Sequence, residues 1–192
     1  MRPALSLLLA LLIAGCASLT PRPEPALPLL SPASLGQPLR ALQLVVSEHQ
    51  GQQQKLLFAV EADRQTLVVS ALTTLGVALQ SIRYDGAALT IDEHLPGAAA
   101  ALDGRWLLAD FQLSAWPLTA LQSAVSEASL SQPLRVSEQP CTGAHHCRTL
   151  WRAAEPLVEV RYQGADLWHG TTEIRQLQLG YRLTITTMEF AQ

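Results

Sequence analysis

Short runs in which apolar and polar residues alternate fill most of the sequence after residue 38, and they constrain the fold more than any other feature. In the first run, Leu42, Leu44 and Val46 alternate with Gln43 and Ser47. A period of two residues is typical of β-strands. The runs begin at residue 39 and recur at 55–62, 66–72, 77–84, 87–93, 134–138, 148–152, 157–162, 173–179 and 181–189. We therefore expect a mostly β, largely antiparallel domain.

Turn signals separate the early runs. Gln50, Gly51 and Gln52 form one such signal, and Asp85-Gly86 forms another. Asp-Gly favours a hairpin because both residues tolerate the positive φ angles of a tight turn. The first half of the domain therefore reads as a meander of about five strands.

The period changes to a helical one between about Asp103 and Glu127. Apolar residues recur there at helical spacing: Trp106, Leu107, Phe111, Leu118, Leu121 and Val125. Pro117 suits the first turn of a helix, where its missing N–H is no loss. We predict a mostly β (α+β) fold, in which one curved antiparallel sheet or unclosed β-barrel has one or two helices over its concave face.

The amino terminus has the pattern of an export signal. Arg2 precedes an apolar stretch at 4–13, which is too short to span a membrane, since spanning takes roughly 20 residues. The stretch ends in Leu-Ile-Ala-Gly-Cys at 12–16, which resembles a lipobox, so we expect residues 1–15 to be a signal peptide and Cys16 to be lipidated. An ordinary secretory signal with a chance cysteine is the alternative. Ala17 and Ser18 lack the aspartate that retains lipoproteins in the inner membrane, so the resemblance implies an outer-membrane anchor facing the periplasm.

Residues 16–38 are rich in proline and show no sustained period, so we predict a lipidated, extended tether there. Residues 39–192 are then one domain, because about 150 residues suit a single core. The net charge of −3 and the charged fraction of 15% make nucleic acid an unsuitable partner.

Two cysteines remain once Cys16 is assigned to the anchor. Cys141 and Cys147 form an even pair in an oxidising compartment, which favours a disulfide bond. A metal site is the competing interpretation, because His145 and His146 lie between the two thiols. Zinc ligands usually come in pairs from separate elements, which favours the disulfide, with no metal.

Several segments resemble an uncharacterised bacterial lipoprotein family, domain-of-unknown-function family 3261, from about residue 30 to the end. They are the segments at 72–76, 83–86, 107–113, 116–118 and 180–183. More distantly, the order of elements is similar to the lipoprotein receptor LolB and its carrier LolA, which implies helices over an apolar cavity for acyl chains. The LolB resemblance implies that Leu75 is an exposed leucine that contacts the membrane, although Leu75 also fits the last core residue of a strand. The Cys141–Cys147 loop departs from the LolB pattern.

The candidate cavity residues are Trp106, Leu107, Phe111, Trp116, Leu118 and Leu121, for which ordinary core packing is the alternative. The sequence shows no nucleophile elbow, P-loop, dinucleotide fingerprint or zinc-protease motif, so we expect neither an enzyme nor a cofactor. We expect an outer-membrane lipoprotein that binds or transfers acyl or polyene ligands in the periplasm. A non-catalytic subunit that docks to envelope transport proteins is the alternative. A metal-dependent enzyme at the cysteine loop is a third hypothesis.

Overall fold

The protein is described here from a computed structural model, which describes residues 24–95, 103–128 and 132–192. Ten strands form one sheet, and each strand is antiparallel to its neighbours. They are β1 (Leu39–His49), β2 (Gln52–Ala62), β3 (Leu67–Leu72), β4 (Ala78–Tyr84), β5 (Leu89–Glu93), β6 (Leu134–Gln139), β7 (His146–Arg152), β8 (Glu155–Tyr162), β9 (Thr171–Gln176) and β10 (Tyr181–Ala191).

Two meanders of five strands make up this sheet. The strand order is β5-β4-β3-β2-β1-β10-β9-β8-β7-β6, so pairing between β1 and β10 joins the two meanders. The strands β5 and β6 are the two margins and do not pair with each other. The predicted unclosed antiparallel sheet is confirmed, including the early five-strand meander.

The antiparallel order gives the sheet two ends with different loops. The end that holds the β1–β2, β3–β4 and β9–β10 turns is called the leucine end here, after Leu75 in the β3–β4 turn. The opposite end holds the β2–β3 and β8–β9 connections and the Cys141–Cys147 loop, and is called the disulfide end.

The core lies on one face of the sheet, which we call the concave face. In β1 the buried residues are Leu39, Ala41, Gln43 and Val45, and in β2 they are Leu56, Phe58, Val60 and Ala62. Leu42, Leu44 and Val46 are half-buried and point to the opposite face. The alternation therefore gave the correct period in β1, but Leu42 and Leu44 do not lie on the core face.

Two α-helices follow β5 along the chain, as predicted. Helix α1 spans Gly104–Ala115 and helix α2 spans Leu118–Glu127. The Asp103 side chain caps α1 by accepting a hydrogen bond from the Arg105 N–H at 3.0 Å. A Cβ on Gly104 would lie 2.8 Å from Ile91 Cδ1 and 3.2 Å from Ile82 Cδ1, so a larger residue there would require these side chains of β5 and β4 to shift. Pro117 directly precedes α2.

The segment before β1 is packed against the domain, which corrects the prediction of an extended tether up to residue 38. Leu27, Leu30 and Leu35 are buried in the core, and a short 3₁₀ helix spans Pro32–Leu35. Proline rules out regular pairing, but it does not prevent the leucines between the prolines from burying apolar surface. The segment 24–38 is called the strap below.

The signal peptide and Cys16 lie outside the described residues. Neither α1 nor α2, the α-helices that the structure describes, reaches the length and hydrophobicity required of a membrane-spanning helix.

Candidate ligand-binding site

Helix α1 is buried on almost every side. Its buried residues are Gly104, Trp106, Leu107, Leu108, Ala109, Asp110, Phe111, Gln112, Leu113 and Ser114. A helix with a single apolar face would expose its opposite face to water. This helix is covered on both sides because it lies between the concave face and the strap, so the space between these three elements is the candidate site.

The strap is fixed to α1 by hydrogen bonds from helix side chains. The Gln112 side chain is fully buried, and its Oε1 accepts a hydrogen bond from the Leu30 N–H at 2.8 Å. Gln112 Nε2 donates to the Leu30 carbonyl, also at 2.8 Å. Trp116 Nε1 donates to Ser34 Oγ at 2.9 Å. One amide side chain thus satisfies both polar groups of a strap residue that has no strand partner.

A buried carboxyl joins α1 to the sheet near the leucine end. Asp110 accepts hydrogen bonds from Gln176 Nε2 at 3.1 Å and from the Tyr181 hydroxyl. Burial raises the pKa of the Asp110 carboxyl to about 7, although both hydrogen bonds act in the opposite direction. Gln176 and Tyr181 also line an open groove of about 680 Å³ beside the β1–β2 turn. Because its pKa is about 7, the Asp110 carboxyl changes its charge near neutral pH.

The carboxyl end of α1 is held by groups from the disulfide end. Arg148 is buried, and its Nη1 donates to the Leu113 carbonyl at 2.7 Å and to the Trp116 carbonyl at 2.8 Å. The Tyr162 hydroxyl donates to the Ser114 carbonyl at 2.8 Å. The last carbonyls of a helix lack partners within the helix, and a buried helix end must find them elsewhere. Arg148 and Tyr162 supply those partners.

A small cavity of about 280 Å³ lies beside this helix end. Glu138 accepts hydrogen bonds from Arg148 Nε and Nη2 at 2.8 and 2.7 Å. The His146 ring stacks on Tyr162 with centroids 4.3 Å apart, and burial lowers the pKa of His146 despite the nearby Glu138 carboxylate. Trp168 stacks on Phe190 at the cavity wall.

The polar groups around this cavity are engaged in holding the fold. Arg148 uses Nε, Nη1 and Nη2, and Tyr162 uses its hydroxyl. Cys141 and Cys147 are joined in a disulfide bond, with Cα atoms 5.8 Å apart, so neither sulfur is a free thiolate ligand. In the described part of the chain, no group of three or more His, Cys, Asp or Glu side chains is arranged to hold a metal ion.

The leucine end exposes several large apolar side chains. Leu75 is 90% exposed and Val77 is 54% exposed, and Leu95 and Leu177 are each about half exposed. The turn that carries Leu75 is well ordered by hydrogen bonds, because the Val77 N–H donates to Thr73 Oγ1 and the Gly76 N–H donates to the Thr73 carbonyl. The fold therefore presents Leu75 to the surroundings on a fixed turn.

The family model described as "Protein of unknown function (DUF3261)" matches residues 40–189, which cover most of the ten-stranded sheet and both helices. The chain belongs to this family. No curated protein sequence matches the chain significantly.

Two solved structures are similar to this member of the DUF3261 family. A LolA superfamily protein from Nitrosomonas europaea has a TM-score of 0.40 and 10% identity, with 80% of this chain and 85% of that chain covered. A DUF1329 family protein from Desulfovibrio piger has a TM-score of 0.36, 10% identity and the same two coverages.

The structure brings the predicted cavity residues of this family member together, but as packed residues. Trp106, Leu107, Phe111, Trp116 and Leu121 are buried, and Leu118 is partly buried against the core. The gap between α1, the sheet and strap residues 25–27 measures about 10 Å³, which holds at most one water molecule. This gap is therefore too small for a ligand while the strap lies in place. Leu75 lies in a turn and is not the last core residue of β3.

Sequence reasoning missed the polar residues that hold the cover in place. They are Asp110, Gln112, Arg148, Tyr162, Gln176 and Tyr181. One signal was available, because Asp110 and Gln112 interrupt an otherwise apolar helical run, and buried polar residues in a helix require partners. The partners themselves lie far away in the sequence, so no local pattern identifies them.

Proposed function

We propose that this protein is a lipid-anchored envelope protein, attached to the outer membrane through Cys16, which binds or transfers lipid-like ligands in the periplasm. The ligand chain, acyl or polyene, lies between α1 and the concave face of the sheet. The protein supplies binding surface and does not catalyse a reaction.

One observation carries this proposal: the apolar concave face is covered by elements that are not strands of the sheet. The sheet remains open between β5 and β6, and α1 and the strap contact it through side chains. A cover of this kind separates from the sheet without breaking strand pairing. Each ligand methylene buried there contributes about 0.8 kcal/mol.

The leucine end supports an orientation towards the membrane. Strap residue Pro25 lies by Gln178, close to the β9–β10 turn of the leucine end. Cys16 lies nine residues before Pro25, so an extended chain places its acyl groups within about 30 Å of this end. Leu75 and Val77 are exposed at the same end. An exposed leucine gains free energy when it enters the apolar part of a bilayer.

Lipid co-purification tests this proposal. The mature chain with Cys16→Ser is exported to the periplasm, purified without detergent and studied by native mass spectrometry and by uptake of a fluorescent fatty acid. We expect one bound lipid, or saturable uptake, per chain. Ala109→Phe is the matched control, since Ala109 lines the gap beside the strap and a larger side chain there reduces the space for a ligand. Absence of both bound lipid and uptake contradicts the proposal.

A free strand margin favours a second candidate function, docking to an envelope transport protein. Among the described strands, β5 pairs only with β4, and Ile91 on β5 is 42% exposed. At the other margin, the Gln122 side chain of α2 donates to the Val136 carbonyl on β6. Strand addition at an exposed margin is a common docking mode. This function is selected if the protein carries no lipid and crosslinks to a defined transporter subunit, and if Ile91→Lys abolishes the crosslink.

A further inference from the structure

The strap occupies the space that a ligand chain needs. Leu27 lies between α1 and the sheet, where residues from both elements line the residual gap around it: Trp106, Ala109, Leu113, Leu150 and Val158. Leu27 and Leu30 are 3% and 5% exposed. The branched apolar side chains of the strap thus already fill the apolar site.

Hydrogen bonds from side chains, and not strand pairing, hold the backbone of the strap. At Leu29 and Leu30 the strap backbone is bound by side chains, since the Tyr84 hydroxyl donates to the Leu29 carbonyl at 3.3 Å and Gln112 binds both polar groups of Leu30. The strap pairs with no strand in the described sheet. Releasing it therefore costs apolar contacts and a few hydrogen bonds, and leaves the ladders between strands intact.

We propose that the strap is a built-in occupant of the ligand groove, which an incoming acyl chain displaces from the position of Leu27 and Leu30. This inference rests on the proposed function, because it specifies how access to that same site is regulated. The empty protein keeps its apolar face covered by its own chain, and the ligand exchanges places with the strap.

A disulfide that fixes the strap tests the exchange directly. A Cβ built on Gly86 lies 3.8 Å from the Ser31 Cβ, which is a typical separation for a disulfide bond. In the Ser31→Cys, Gly86→Cys variant, we expect the oxidised form to take up a fluorescent fatty acid at least tenfold more weakly than the reduced form. Gly86→Cys alone controls for the strain at φ +95°, and wild type with reductant controls for opening of the Cys141–Cys147 bond.

A second variant releases the strap and keeps the proposal testable if the engineered bond fails to form. Leu27→Ser with Leu30→Ser weakens strap packing, so we expect uptake to become at least threefold tighter than in wild type. Leu29→Ser is the matched control, because Leu29 is only partly buried.

The outcomes separate this inference from the proposed function. Equal uptake by the locked and unlocked forms, or uptake that the release variant leaves unchanged or weakens, overturns the inference while lipid binding by wild type still stands. Failure of wild type to bind any fatty acid overturns both, whether or not the release variant binds, because an incoming chain then does not displace the strap.

Discussion

At the disulfide end a charged side chain is buried and paired, whereas at the leucine end large apolar side chains are exposed. Arg148 is only 8% exposed and forms an ion pair with Glu138, while Leu75 is 90% exposed on its turn. Burying a charge and exposing a leucine to water are both unfavourable. Arg148 holds the carboxyl end of α1 in place, and the exposed leucine end supports the proposed orientation towards a membrane.

The two ends also hold opposite ends of the cover. Arg148 and Tyr162 fix the carboxyl end of α1 through backbone carbonyls. The Tyr162 hydroxyl stays protonated near neutral pH, because burial raises its pKa above the ordinary value for tyrosine. Near the leucine end, α1 is attached through Asp110, whose pKa lies near 7. The helix therefore has a permanent attachment at one end and a pH-sensitive attachment at the other.

Arg148→Ala breaks the attachment at the disulfide end and has the largest expected effect. The substitution leaves Glu138 and two helix carbonyls without their partner, and we expect a loss of about 3–5 kcal/mol in the free energy of unfolding. Urea denaturation monitored by tryptophan fluorescence measures it. Arg64→Ala, at an exposed position in the β2–β3 connection, is the control and should cost about 0.5 kcal/mol or less. A loss below 1 kcal/mol in Arg148→Ala shows that the ion pair does not hold the helix.

The attachment near the leucine end is tested by pH. The folded-state pKa of Asp110 is about 7, compared with 3.8 for an unperturbed aspartate. Below pH 3.8 the carboxyl is protonated in both states. Between the two values the unfolded chain releases the proton while the folded chain keeps it, so stability falls as pH rises and levels off above pH 7. A difference of about three pKa units corresponds to about 4 kcal/mol.

Asp110→Asn removes this pH dependence while it keeps an oxygen that accepts hydrogen bonds. We expect the variant to be more stable than wild type at pH 8 and to show the smaller stability change between pH 4 and pH 8, in chemical denaturation at both pH values. Parallel pH profiles in the two proteins contradict the assignment of the titration to Asp110.

The disulfide has a smaller expected effect because it closes a short loop. Replacing Cys141 and Cys147 by serine should lower the free energy of unfolding by about 2.4 kcal/mol on the chain-entropy model. The loop contacts Arg161, whose Nη2 donates to the Thr142 carbonyl, so local order is also expected to decrease. Calorimetry of the double variant checks this. If reduced wild type is as stable as oxidised wild type, the disulfide bond does not contribute to the stability of this end.

The fold was largely predictable from sequence because strand period and turn chemistry are local. Asp85-Gly86 gives the β4–β5 turn, in which Asp85 accepts hydrogen bonds from the Ala87 and Ala88 N–H groups. The helix bounds follow from the period of α1 and from Pro117. In β1 the alternation did not identify the core face, because both faces of that strand carry apolar residues and Gln43 lies on the buried one.

The strap shows where sequence patterns fail. Its prolines disfavour a long α-helix and regular strand pairing, and proline-rich composition is typical of tethers. Packing of the strap depends on Gln112, which lies 82 positions from Leu30, and on an apolar face assembled from distant strands. Tertiary partners of this kind leave no periodic signal, so the candidate site is the part of the molecule that required the structure.

Leu75→Ser is expected to have the smallest effect and applies most directly to the comparison between the two ends. Stability should change by less than about 0.5 kcal/mol, because the side chain contacts water. Binding of the chain lacking its acyl groups to phospholipid vesicles should weaken by about tenfold, since losing part of one leucine's transfer energy is worth about 1.4 kcal/mol. Vesicle sedimentation measures this.

Met188→Ser is the matched control, because Met188 is 58% exposed but lies on β10 towards the disulfide end. If only the leucine end meets the membrane, this variant binds vesicles as wild type does. If vesicle binding weakens equally in both variants, exposed apolar side chains contribute to binding at either end, and the proposed orientation is wrong. A loss in Met188→Ser alone reverses the assignment of the two ends.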